Sequence, residues 1–102
     1  MRKAFMCSLI HRGILGGGLY LDQQAVTFVC NKLTVEQKFK KLSMPFEKIE
    51  SLTWQQVIFP IAVFQLRSGE AYRFLVFNKK RFMNYYQQYR DADRAGNASN
   101  AQ

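Results

Sequence analysis

Short apolar runs closed by turn residues recur along most of the chain, and the alternation of apolar and polar positions inside them is that of strands. The first run covers residues 4–10. Gly13-Ile14-Leu15-Gly16-Gly17-Gly18 follows as a connection, its glycines suited to a flexible loop or to close strand approach at a sheet corner. Leu19-Tyr20-Leu21 reads as a second strand. After the polar turn Asp22-Gln23-Gln24, Val26, Phe28 and Cys30 alternate with Ala25, Thr27 and Val29, as a half-buried strand requires. Residues 31–37 form a polar loop into a fourth strand over 39–44, with Leu42 and Met44 inward and Lys41 and Ser43 outward. Pro45, lacking an N–H for the ladder, ends it. A fifth strand over 49–57 carries Trp54, and Pro60 punctuates the turn into a sixth over 61–66. Arg67-Ser68-Gly69-Glu70 is a hairpin signal with Gly69 able to take a positive φ. Beyond it Tyr72, Phe74 and Val76 alternate with Ala71, Arg73 and Leu75, which makes seven strands in sequence.

The period then changes. Phe82, Tyr85, Tyr86 and Tyr89 fall at i, i+3, i+4 and i+7, an apolar stripe on a helix with Asn78 as N-cap that ends near Arg94. Residues 95–102 offer nothing large to bury and read as a mobile tail. A chain of 102 residues supports one hydrophobic core, so the expectation is a single domain over 1–94 and a tail over 95–102. The domain is mainly β, a curled antiparallel sheet or barrel of about seven strands closed by one C-terminal helix.

Cysteine and histidine usage narrows the chemistry. Cys7 and Cys30 lie in alternating runs, not in a C-x-x-C pair, and with His11 as the one histidine they cannot assemble a zinc site. Buried free thiols are the expected state, although a disulfide is geometrically open if their strands pair. His11 has no nucleophile beside it, since alternation points Cys7 and Ser8 to opposite faces. Gly16-Gly17-Gly18 fails as a phosphate loop because no lysine-serine pair follows and the next element is a strand. A non-catalytic binding module with no cofactor and no metal is therefore expected. Met1-Arg2-Lys3 and the run over 4–10 superficially resemble a signal peptide, but His11 and Arg12 stop the run early. With no apolar stretch approaching the roughly 20 residues of a span, the reading is cytoplasmic, peripheral to a membrane at most.

The order of elements resembles the pleckstrin-homology plan, and the motifs resemble its GRAM branch and related small bacterial domains. The carrying residues are Gly17-Gly18-Leu19-Tyr20-Leu21-Asp22 with Val26-Thr27-Phe28, similar to a glycine-led G-x-L-Y-L-T hairpin. Leu42-Ser43-Met44-Pro45-Phe46-Glu47-Lys48-Ile49 is similar to an L-x-I-P-x-x-x-I corner, and Gly69-Glu70-Ala71-Tyr72-Arg73-Phe74 to a late G-x-x-Y-x-F hairpin. Asp22 stands where the family often has Thr. The resemblance implies attachment to phosphoinositides, other lipids or proteins, with inositol phosphates docking at the open end opposite the helix.

Charge supplies the candidate residues. Fifteen Lys and Arg against seven Asp and Glu give a net charge of +8, which favours phospholipid headgroups, acidic protein surfaces or nucleic acid. In a meander, His11, Arg12, Lys32, Lys38 and Arg67 are expected to converge on the open rim as an anion- or lipid-binding set. Each of the four Lys/Arg charges near an anionic membrane is worth about 1 kcal/mol. Strand two carries no basic residue, so weak recruitment is expected there in place of a shaped headgroup pocket. Ile14 and Leu15 at the same end either dip into a bilayer or fold back onto the rim. Lys79, Lys80 and Arg81 form a second candidate anion site in the first helical turn, where positive charge opposes the helix dipole. The partners expected are a protein, an anionic membrane surface, or both. Nucleic acid ranks behind them because the aromatics are needed for the core, and self-association through an exposed edge or aromatic face stays open.

Overall fold

A computed structural model of the chain describes residues 2–11, 13–30, 37–56 and 58–100. Alternation in β1 (Lys3–Ile10) turns Phe5, Cys7 and Leu9 into the core and Ala4 and Met6 outward. Six further strands follow: β2 (Ile14–Leu21), β3 (Ala25–Val29), β4 (Lys41–Pro45), β5 (Ile49–Gln56), β6 (Pro60–Leu66) and β7 (Ala71–Val76). They form one antiparallel sheet in the order β4-β3-β2-β1-β7-β6-β5, so the first and last strands pair and β4 and β5 are its edges. The sheet is strongly curled. Phe28 on β3 and Phe74 on β7 lie three strands apart, about 14 Å on a flat sheet, yet their ring centroids are 5.3 Å apart.

One helix closes the concave side. It is α2 (Lys79–Asn100); a short α1 (Gln37–Lys40) precedes β4. Asn78 caps α2, its Oδ1 accepting from Arg81 N–H at 3.3 Å. Phe82 sits fully buried among Phe5, Trp54 and Phe64 at centroid distances of 5.0, 6.2 and 6.3 Å and stacks on Tyr86. The mainly-β, pleckstrin-homology-like curled sheet with a closing helix is thus the architecture of the chain.

Three local expectations need correction. Gly16, Gly17 and Gly18 are not a loop: they pair with Ser8, Cys7 and Met6, and β2 begins at Ile14. The second reading of those glycines, close strand approach, fits Gly17, where a Cβ would lie 2.3 Å from the Val29 carbonyl oxygen. Phe39 belongs to the helical turn α1 and not to strand four, since a segment of this length carries too little periodicity to separate the two. The helix continues past Arg94 to Asn100, into the segment expected to be a tail. Extending a formed helix costs little per residue, and the sequence reading weighed burial alone. Cys7 and Cys30 are both buried and free, the state expected from the sequence; β2 lies between β1 and β3, so the strand pairing that the alternative of a disulfide needs is absent. Burial pushes the Cys7 thiol up to about 12.

Candidate anion-binding surface

The β1–β2 and β6–β7 connections lie at one end of the sheet, because β7 runs antiparallel to β1 with Arg73 opposite Ile10. His11 and Lys38 both lie against Phe39 there, the imidazole 4.6 Å from that ring and the Lys38 Nζ 4.9 Å from it. Together with Tyr72, Glu70 and Arg73 they line a shallow concavity of about 340 Å³. Tyr72 donates its hydroxyl proton to the Glu70 carboxylate. Burial, then that bond and the neighbouring negative charge, push its hydroxyl up to about 12.

Arg67 does not join this group. Its Nε donates to the Glu47 carbonyl at 2.9 Å and its backbone N–H to the Lys48 carbonyl at 2.9 Å. It lines a separate hollow of about 260 Å³ with Arg90, Asp93 and Arg94 of α2. The cause is the 3-10 turn Phe46–Lys48, which lays the start of β5 against the end of β6 and draws Arg67 toward the helix. Arg12 and Lys32 lie outside the described residues. The expected rim thus contributes Lys38 and His11, gains Arg73, and holds Glu70 as an opposing charge. Arg73 was readable as an outward strand position; its place opposite Ile10 was not, because the pairing of β7 with β1 is non-local. Leu15 folds back and packs against the core, while Ile14 stays exposed on the outer face.

Among the described residues, the opposite end, where α2 begins, is more strongly basic than the rim. Lys79, Lys80 and Arg81 are joined there by Arg2 and Lys3 from the start of β1, since Arg81 reaches across to donate to the Ala4 carbonyl at 3.1 Å. Aromatic rings hold four of these five cations in place. Arg2 lies over Tyr20 at 4.0 Å, Lys3 over Tyr85 at 4.8 Å, Lys79 over Trp54 at 5.0 Å and Arg81 over Phe5 at 4.5 Å. Lys80 lines the two neighbouring hollows, of about 570 and 440 Å³. Asp22 follows β2 at this end, its Oδ1 accepting from the backbone N–H groups of Gln24 and Ala25. Elsewhere among the described residues Glu70 lines the rim concavity with Lys38 and Arg73, and Glu47, Glu50 and Asp93 line hollows shared with Arg90 and Arg94.

The same end carries large exposed apolar side chains: Met6 (78%), Ile58 (81%), Phe59 (52%) and Phe77 (57%). They cluster by register. Cys7 and Val76 pair facing inward, which turns their neighbours Met6 and Phe77 outward, with Phe77 N–H pointing to the Met6 carbonyl at 3.5 Å. Phe59 meets Phe77 edge-on with centroids 6.5 Å apart.

No known family model matches the chain, and no curated protein matches its sequence. Solved structures do. The C-terminal domain of an unknown protein from Leishmania infantum superposes with a TM-score of 0.71 at 7% identity, over 86% of this chain and 81% of that one. This likeness concerns the fold alone. Among the described residues no helix is long and apolar enough to cross a membrane.

Proposed function

We propose that the protein is a non-catalytic binding module, an adaptor that docks on an acidic macromolecular surface through the end where α2 begins. The observation that carries this reading is the collar of Arg2, Lys3, Lys79, Lys80 and Arg81, four of them seated on aromatic rings. Cations resting on one buried and three half-buried rings are placed before a partner arrives, so little side-chain freedom is lost on docking. The resemblance to GRAM-type domains, whose members attach to lipids or proteins, points the same way. The reading of a binding module without cofactor or metal follows from the sequence, which supplies one histidine and no nucleophile beside it. Nucleic acid is disfavoured because Phe5, Trp54 and Tyr85 already lie under the cations and are not open for stacking.

The test is binding to two acidic probes, poly-L-glutamate and phosphatidylserine-containing vesicles, over a series of salt concentrations. Lys79→Glu with Lys80→Glu should weaken binding to at least one probe by about tenfold or more. Lys41→Glu with Lys48→Glu changes net charge equally at exposed positions outside the collar and should have a much smaller effect. Equal losses in the two variants would refute the location, and no salt-sensitive binding of the wild type to either probe would refute the function.

A further inference from the structure

The exposed apolar cluster identifies what the collar docks on. We infer that the partner is an anionic phospholipid bilayer, and that Met6, Ile58, Phe59 and Phe77 enter its headgroup region while the collar holds the lipid phosphates. The inference rests on the reading above that the collar binds an acidic surface.

Large apolar side chains left in water at the end of a sheet, rimmed by cations, mark an interaction surface. Two features say what lies on the other side. First, cations of one sign border the apolar cluster: Phe77 runs directly into Asn78 and Lys79, and Arg81 is bonded to the Ala4 carbonyl two residues from Met6. An apolar protrusion inside a positive collar is complementary to a surface whose outer layer is anionic and whose interior is hydrocarbon. Second, the two most exposed members, Met6 and Ile58, are aliphatic and offer nothing to stack on a base. Phe59 and Phe77 are set edge-on to each other at 63°. Behind the cluster the outer face stays apolar, with Ile61 opposite Leu75 and both half-buried, so that side chains beyond the first row also meet a non-aqueous partner. A second copy of the chain would bring collar against collar, whereas a bilayer of anionic lipid would not.

The experiment compares wild type with Phe59→Ser plus Phe77→Ser on vesicles of phosphatidylcholine with phosphatidylserine, on poly-L-glutamate, and on a mixed-sequence single-stranded oligonucleotide. Both residues are exposed, so the fold should survive, and thermal unfolding checks it. The expected result is a loss of vesicle affinity of at least about tenfold with poly-L-glutamate binding unchanged. An independent readout is Ile58→Trp, whose emission should shift to the blue on vesicle addition and be quenched by lipids brominated near the headgroup. Vesicle binding by the double variant equal to wild type, with no emission shift from Ile58→Trp, would overturn the inference while leaving the acidic-surface reading intact. Poly-L-glutamate binding without vesicle binding would do the same. Loss of oligonucleotide binding or of a wild-type dimer in the double variant, with vesicle affinity unaltered, would also overturn it in favour of nucleic acid or self-association.

Discussion

Gly16 and Gly17 are neighbours in β2 with opposite tolerance for a side chain. A Cβ on Gly17 would lie 2.3 Å from the Val29 carbonyl oxygen and 2.9 Å from the Phe28 ring, and neither strand backbone nor core ring yields easily. Gly17→Ala should therefore destabilise the protein by about 1–3 kcal/mol in denaturant titration. A Cβ on Gly16 meets nothing within 4 Å, and Gly16→Ala should be neutral or raise stability by up to about 1 kcal/mol, since glycine is a poor strand residue. The Cys7 thiol supplies a second prediction at this scale. Its value is raised from 9.0 to about 12 by burial, so the folded state favours the neutral thiol. The stability this contributes is complete below pH 9 and is lost as pH rises from 9 toward 12, when the unfolded state sheds the proton first. Alkylation of Cys7 at pH 8 should be slow in the native protein and fast in denaturant, a contrast measurable by mass spectrometry.

At the level of elements, α2 is fixed to the sheet by rings and by one guanidinium. Arg90 donates to the Tyr86 hydroxyl at 2.9 Å and to the Ile49 carbonyl at 3.1 Å, tying the middle of α2 to the first residue of β5. Arg90→Ala should cost about 1–3 kcal/mol, because it removes a charged hydrogen bond and leaves a half-buried carbonyl unpaired. Phe82→Ala should cost about 3–5 kcal/mol, since that ring is fully buried at the centre of the aromatic cluster. Equilibrium unfolding of the two variants checks both. The stripe that predicts this docking was legible in the sequence, because i, i+3, i+4 and i+7 spacing survives any tertiary arrangement. So were the seven strands, the Asp22 turn, and the hairpin at Gly69, whose φ is 99°. What failed were segments where local pattern and tertiary demand part: a glycine strand with no alternation to read, and a single helical turn at Phe39. The helix end after Arg94 failed for a different reason, since its continuation does not depend on large apolar residues.

At the scale of the whole molecule, the rim expectation placed basic residues by counting turns, which ranks positions along a strand but cannot say which way a turn leans. Arg67 leans to α2, so among the described residues the rim holds Lys38, His11 and Arg73 against Glu70. The helix-start collar was half visible, as Lys79, Lys80 and Arg81; Arg2 and Lys3 looked like the opening of a leader, and only the pairing of β1 with β7 shows them beside the helix. The outward phase of Met6 and Phe77 was readable in principle, Phe77 falling in phase with Ala71, Arg73 and Leu75. If the collar end lies on the bilayer, the rim must face away from it, at the far end of the sheet. Lys38→Glu should then lower vesicle affinity no more than Lys41→Glu does, whereas Lys80→Glu should lower it severalfold further, because screening confines the effect of a charge to about 10 Å at ordinary salt. Titrating the three variants on the same vesicles at fixed salt decides the orientation. Equal losses for Lys38→Glu and Lys80→Glu would mean that the molecule lies on its side, with both ends against the lipid.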